Sequence, residues 1–166
     1  MTKADAQTGV GKSFTTQHTG ERLDGGEWVR LEVDDGTTTR GFVARPSGSG
    51  PHPGLIVIME ALGVNAQIRD VARRYADEGF LAIAPDVFHR AEENFEGTKL
   101  DWERLMPLVS TLTTESLVSD TRAAHTWLGV QPDVDLSKVA AEVSGLYAPH
   151  TPHCDAGRCL SWCGSG

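Results

Sequence analysis

Residues 55–84 read LIVIMEALGVNAQIRDVARRYADEGFLAIA and give the clearest indication of the architecture. The stretch opens with the uninterrupted apolar run Leu55–Met59 and closes with a second apolar run, Phe80–Ala84. Short runs without polar alternation are typical of strands that are buried on both faces of a parallel sheet. Between the two runs, residues 66–78 place apolar side chains at helical spacing, and Asn65 is the predicted N-cap. The stretch therefore predicts a strand–helix–strand unit.

Further elements flank this unit on both sides. Residues 27–34 alternate between apolar and polar side chains and predict a half-buried strand. Asp35-Gly36 predicts a two-residue hairpin turn, after which residues 39–44 form the partner strand. Beyond the unit, residues 116–128 predict another helix, and Val139 begins the expected third parallel strand. Together these elements predict an α/β fold, in which helices cover both faces of a mostly parallel sheet.

Length and composition restrict the class of protein. The chain has 166 residues, a formal net charge of −8, 39% hydrophobic residues and 23% charged residues. The acidic balance argues against nucleic acid or a membrane surface as the main partner. Since no run of about 18 apolar residues predicts a membrane span, we expect a cytoplasmic protein. We expect residues 1–26 to be a flexible lead-in and residues 27–166 to form one partial domain.

Charged residues follow both buried runs, at the strand ends where ligands bind in parallel α/β sheets. Glu60 comes directly after the first run, where burial would raise the pKa of its carboxyl and suit it to proton transfer. The structural alternative is that Glu60 caps the next helix or pairs with an arginine. After the second run, Asp86 could brace the loop and Arg90 could bind a carboxylate through two hydrogen bonds. The alternative for Arg90 is an ordinary surface arginine.

Short motifs succeed one another in a distinctive order: Asp35-Gly36, Arg45-Pro46, Gly50–Pro53, Leu55–Glu60, Leu62–Asn65, Ile68–Ala72 and Glu78–Arg90. In this order and spacing, residues 27–138 resemble the N-terminal half of the dienelactone hydrolase family, which has the α/β-hydrolase fold. The resemblance implies hydrolysis of a small lactone or carboxylic ester through a covalent acyl-enzyme, without metal or organic cofactor. It also implies that Glu60 supports the nucleophile, that the N–H of Ala61 lines the oxyanion hole, and that Arg90 binds the substrate carboxylate.

The resemblance stops where the family places its nucleophile. A G-x-C-x-G-G turn would fall near residues 143–149, which read VSGLYAP, and Ser144 lacks the glycine framework of such a turn. Residues 142–160 predict neither helix nor strand, which suggests a local reading-frame disturbance or a sequencing error. We therefore expect a truncated α/β-hydrolase-like fold and an inactive chain. The alternative function is that of a non-catalytic remnant or binding protein with the same partial fold.

A less favoured alternative is a zinc-binding C-terminal module. Five candidate ligands lie close together in the sequence, and zinc takes Cys and His in sets of four: His150, His153, Cys154, Cys159 and Cys163. Their spacing contains no Cys-x2-Cys pair, so we predict no metal site. Because the later strands of the fold are missing, one sheet edge would stay open. An open edge can pair with another chain, and we expect possible self-association there.

Overall fold

The computed structural model describes residues 25–143, which form one five-stranded sheet and three helices. In chain order the elements are β1 (Glu27–Glu32), β2 (Thr38–Ala44), β3 (His52–Ile58), α1 (Ala66–Asp77), β4 (Leu81–Pro85), α2 (Trp102–Val109), α3 (Thr114–Gly129) and β5 (Val134–Val143). The strands are arranged in the order β1-β2-β4-β3-β5. β2 pairs antiparallel with β1 and β4, whereas β3 pairs parallel with β4 and β5. The predicted α/β fold is thus present as a mixed sheet with a parallel part, β4-β3-β5.

Strand direction decides where a ligand site can lie. Because β2 runs antiparallel to both of its neighbours, the other four strands of the sheet all point the same way. Their last residues lie on one side of the molecule, which we call the carboxyl end of the sheet. The β1–β2 turn, Glu60 after β3 and the loop after β4 all lie at this end. Ligands of open α/β sheets bind there.

Alternate side chains of the central strands enter two hydrophobic cores on opposite faces of the sheet. In β3, Leu55 and Val57 pack with residues of α1 and α2, whereas Ile56 packs with residues of α3. Leu81 and Ile83 of β4 are fully buried in the same core as Ile56. The prediction of two strands buried on both faces, with helices on both sides, is therefore confirmed.

The β1–β2 turn contains three residues, so the prediction of a two-residue turn is wrong. The N–H of Val33 donates to the carbonyl oxygen of Thr37 at 3.0 Å, and Gly36 adopts a φ of 85°. This pattern is typical of a three-residue hairpin closed by a left-handed glycine. The carboxylate of Asp35 stabilises it by accepting hydrogen bonds from the N–H and Oγ1 of Thr37, at 2.9 and 2.6 Å.

β5 begins earlier than the sequence pattern predicts. It starts at Val134 rather than Val139, and its register against β3 shifts after Pro53. At the irregular segment the carboxylate of Asp135 accepts hydrogen bonds from the N–H and Oγ of Ser137, at 3.1 and 2.6 Å. Such local side-chain bonds compete with regular pairing and obscure the apolar pattern of a strand.

Several predictions concern residues outside the described range. These are residues 1–24 of the predicted lead-in, Ser144, the five candidate zinc ligands and nearly all of residues 142–160. Within residues 25–143, no group of three or more His, Cys, Asp or Glu side chains is placed to hold a metal ion. No helix in the same range is long and apolar enough to cross a membrane.

Candidate functional site

Glu60 lies two residues after β3, at the carboxyl end of the sheet, and is partly buried. Its carbonyl oxygen accepts a hydrogen bond from the N–H of Gly63 at 3.1 Å, which closes a tight turn. Within residues 25–143, the Glu60 carboxylate has no hydrogen bond and no ion pair. Burial raises the pKa of this carboxyl above its ordinary value. The side chain is thus poised to exchange a proton near the strand ends.

Neither structural alternative for Glu60 is found among the described residues. The cap of α1 is Asn65, whose side-chain oxygen accepts hydrogen bonds from the N–H groups of Gln67 and Ile68 at 3.0 and 3.1 Å. This confirms the predicted N-cap. The nearby arginine of α1, Arg69, forms its ion pair with Glu96 instead. Glu60 therefore serves neither as the cap nor as the partner of Arg69.

Ala61 follows Glu60 in the same turn and packs partly buried against the first hydrophobic core. None of the turn and loop hydrogen bonds formed within residues 25–143 uses its backbone N–H. An oxyanion-binding position requires a backbone N–H that is available to donate to the substrate oxygen. The role of Ala61 in binding an oxyanion remains a prediction.

Arg90 lies between two carboxylates that come from distant parts of the chain. Its Nε and Nη2 donate to Oδ2 of Asp35 at 2.8 and 2.6 Å. Its Nη1 and Nη2 donate to the two carboxylate oxygens of Asp120 in α3, both at 2.9 Å. Hydrogen bonds to Asp120 and Asp35 raise the pKa of Arg90, and hydrogen bonds from Thr37 and Arg90 hold the pKa of Asp35 well below its usual range.

This arrangement gives Arg90 a structural role that the sequence did not indicate. Asp120 is completely buried, and His89 provides a further contact with its Nε2 at 3.1 Å from Oδ1. Arg90 thus joins the β1–β2 turn to α3 and compensates a buried charge. Its side chain is only 22% exposed, so it is not an ordinary surface arginine. Binding of a substrate carboxylate by Arg90 remains a prediction.

Asp86 braces the loop after β4, as the sequence predicts. Its Oδ1 accepts from the N–H of Phe88 at 3.2 Å, and its Oδ2 accepts from Nε of Arg40 at 3.3 Å. Its carbonyl oxygen also accepts from Oγ1 of Thr39 at 2.7 Å. Complete burial raises the pKa of Asp86, and the charge of Arg40 opposes this shift. These bonds fix the start of the loop that carries Arg90.

The sequence interpretation missed two charged side chains of this region. Asp120 is three residues after Leu117 and four before Ala124, so it lies on the apolar face of α3. A carboxylate in such a stripe signals a buried ion pair. Arg69 is a polar residue in the helical pattern of α1, yet its side chain is only 17% exposed. Its partner Glu96 lies 27 residues away, and no local pattern predicts that contact.

Comparison with known proteins gives a consistent result. Residues 39–142 match the sequence model of the "Dienelactone hydrolase family". The "Putative carboxymethylenebutenolidase" of Azospirillum brasilense is 41% identical over 80 residues, which cover 46% of this chain and 34% of that protein. The protein of the same name from Escherichia coli K12 is 33% identical over 134 residues, which cover 74% of this chain and 47% of that protein.

The solved structures agree with the sequence matches. The crystal structure of a "Putative Dienelactone Hydrolase" from Klebsiella pneumoniae is similar with a TM-score of 0.60 and 28% identity, covering 72% of this chain and 50% of that chain. The chain therefore spans about half, or less, of the length of these relatives. The family match includes the positions of Glu60, Ala61 and Arg90. By sequence and by fold, the chain belongs to the dienelactone hydrolase family.

Proposed function

We propose that the carboxyl end of this sheet is part of a site that hydrolyses lactones or carboxylic esters through a covalent acyl-enzyme. In this site, Glu60 controls the protonation of the nucleophile, and the N–H of Ala61 binds the oxyanion of the tetrahedral intermediate. Arg90 attracts the carboxylate of a small acidic substrate. The chemistry uses no metal and no organic cofactor. Membership of the dienelactone hydrolase family supports the class of reaction. A cytoplasmic location remains a prediction from the sequence.

The observation that carries the proposal is the carboxylate of Glu60, which has no partner within residues 25–143. A partly buried carboxylate without a hydrogen-bonding partner destabilises a fold, and proteins retain such groups mainly at functional sites. Because burial raises its pKa, Glu60 can hold a proton at a pH where an exposed glutamate is ionised. A group of this kind can take the proton of a thiol or hydroxyl nucleophile and so raise its reactivity.

The proposed role of Arg90 requires an exchange of partners. Asp120 is completely buried, whereas the side chain of Asp35 is 37% exposed at the β1–β2 turn. A substrate carboxylate would therefore replace Asp35 and leave the pair with Asp120 intact. The incoming group would accept the same two hydrogen bonds, from Nε and Nη2, that Asp35 accepts in this structure.

The test is turnover of an activated aryl ester by the full chain, followed by mass spectrometry of the protein for an acyl adduct. We compare the wild type with Glu60→Gln and with Glu103→Gln, which changes an exposed carboxylate of α2. Turnover or an adduct that is lost in Glu60→Gln and kept in Glu103→Gln supports the hydrolase. Equal turnover in all three proteins would exclude Glu60 from the chemistry.

The second candidate is a non-catalytic protein that retains the partial fold. It is favoured by residues 143–149, which contain neither a glycine-framed cysteine nor a glycine-framed serine. In this case, we expect neither turnover nor an acyl adduct from a chain that unfolds cooperatively. The same ester experiment distinguishes the two candidates, because only the hydrolase gives a signal that depends on Glu60.

A further inference from the structure

A segment of the loop after β4 covers the turn that follows Glu60. The N–H of Gly97 donates to the carbonyl oxygen of Leu62 at 2.9 Å, and Gly63 forms a β-bridge with Glu96. The side-chain amide of Asn65 donates to the carbonyl oxygen of Gly97 at 3.4 Å. Three consecutive contacts thus join residues 62–65 to residues 96–97.

Two side chains reinforce this contact from α1 and from the covering segment. Nη1 of Arg69 donates to the carbonyl oxygen of Val64 at 2.8 Å and to Oε2 of Glu96 at 2.7 Å. The other carboxylate oxygen of Glu96 accepts from Nη2 of Arg40 at 3.3 Å. One arginine therefore holds both the turn and the segment that covers it, and Glu96 links this pair to β2.

Packing leaves little freedom at the same place. Gly63 adopts a φ of 76°, and a Cβ on this residue would lie 2.2 Å from the carbonyl oxygen of Phe95. The ring of Phe95 packs edge-on against Phe88, with ring centroids 5.8 Å apart. The covering segment is thus anchored in the first hydrophobic core as well as by charge. Its contacts are with residues 62–65, which directly follow Glu60 and Ala61 in the chain.

We propose that Arg69 and Glu96 are positioning residues that hold the turn at residues 60–65 closed, and so fix how Glu60 and the N–H of Ala61 meet the substrate. The proposal rests on the proposed function for the use of Glu60 and Ala61, whereas the contacts themselves are independent of it. Without the ion pair, the turn would separate from the Phe95–Gly97 segment, and the Glu60 carboxylate would become more exposed to water.

The Arg69→Gln variant separates positioning from simple electrostatics. Removing a nearby positive charge by itself raises the pKa of a carboxyl, whereas hydration of the carboxyl lowers it. If the turn opens, the pKa of Glu60 falls toward the ordinary value of 4.5, opposite to the effect of the lost charge. We measure this pKa by carboxyl 13C NMR titration of the full chain. The exchange rate of the Gly97 amide hydrogen is expected to rise about tenfold.

Two further variants complete the test. Glu96→Gln keeps the size of a side chain that is 35% exposed, so the fold tolerates it, and it should accelerate Gly97 exchange to the same extent. Arg74→Gln removes the same charge from the same helix, but Arg74 pairs with Asp70 on the exposed face. This variant should therefore change neither the pKa of Glu60 nor the exchange rate of the Gly97 amide. Amide signals of β3 and β4 report whether each variant remains folded.

The outcomes are decisive in both directions. A lower pKa of Glu60 with faster Gly97 exchange in Arg69→Gln, absent from Arg74→Gln, supports the positioning role. A raised pKa of Glu60, or Gly97 exchange that is unchanged in both Arg69→Gln and Glu96→Gln, overturns it. These readouts do not depend on ester turnover. Failure of the proposed hydrolase function would therefore appear only in the ester experiment.

Discussion

Two charged residues at the carboxyl end of the sheet have opposite environments. Glu60 is partly buried and unpaired within residues 25–143, whereas Arg90 donates four hydrogen bonds to two carboxylates. Burial without a partner leaves a group reactive at a cost in stability, whereas burial with partners holds a group in place. At the scale of single residues, Glu60 is therefore the candidate for chemistry and Arg90 the structural connection.

Glu60→Gln is expected to stabilise the protein near neutral pH. Burial raises the pKa of Glu60 in the folded state above 4.5, the ordinary value that applies in the unfolded chain. Between these two pKa values the folded state binds more protons, so the free energy of unfolding decreases as pH rises. Because glutamine does not titrate, the Glu60→Gln variant does not lose this part of the free energy of unfolding as pH rises.

Urea unfolding at two pH values checks this prediction. At about pH 4, where a glutamate of raised pKa is mostly protonated, wild type and Glu60→Gln should have similar midpoints. At about pH 7 the variant should have the higher midpoint. A variant that is less stable than wild type at the higher pH would show that the ionised carboxylate has a stabilising partner.

Arg90→Met is expected to lower the free energy of unfolding by about 3 kcal/mol, because among residues 25–143 it leaves the buried Asp120 with His89 as its remaining partner. The matched control is Arg122→Met. Like Arg90, Arg122 joins α3 to the β1–β2 turn, but its pair with Asp34 lies on the exposed surface. Surface pairs contribute little, so this control should change stability far less. Equal losses in urea unfolding would contradict a special role for Arg90.

At the scale of elements, the turns determine the geometry of the site. The β1–β2 turn presents Asp35 to Arg90, and the turn after β3 brings Gly63 next to Glu96. The sequence indicated the first turn through Asp35-Gly36, but not the number of residues in it. That number depends on the hydrogen bonds of the Asp35 side chain, which compete with the backbone pattern.

Gly63→Ala is expected to destabilise the protein by at least about 2 kcal/mol, because it adds a Cβ clash to the strain of a left-handed residue. Gly79→Ala is the matched control. Gly79 also has a positive φ, at 97°, but open space surrounds its Cβ position. Alanine at this position should therefore cost only the backbone strain, about 1 kcal/mol. Chemical denaturation of both variants measures the difference. If the two losses were the same, the close approach to Phe95 would have no energetic effect.

At the scale of the whole molecule, β5 is the least protected strand. It is the last strand in the sheet order, and within residues 25–143 it pairs on one side only, with β3. Leu136 and Val143 of this strand are 47% and 73% exposed. Edges of this kind pair with other chains unless charge or bulk prevents it. Self-association through β5, expected from the sequence, remains a prediction.

Sedimentation velocity over a wide concentration range tests self-association. We expect the sedimentation coefficient of the wild type to increase with concentration, and Ala140→Lys in β5 to suppress this increase by placing a charge at the edge. Val130→Lys introduces the same charge after α3, at an exposed position outside the strand, and should not suppress it. A wild-type protein that remains monomeric throughout would exclude pairing through β5.

Local patterns in the sequence were sufficient to predict several elements. Apolar runs specified the buried strands, helical spacing specified α1, and Asn65 specified where that helix begins, because each signal spans only a few neighbouring residues. The motif order also identified the family. The partners of the charged groups, in contrast, are evident only in the folded chain. Arg90 meets Asp35 and Asp120 across 55 and 30 residues of sequence, and Arg69 meets Glu96 across 27. An ion pair forms between side chains that the folded backbone brings close together, and a local sequence pattern carries no information about residues that are distant in the chain.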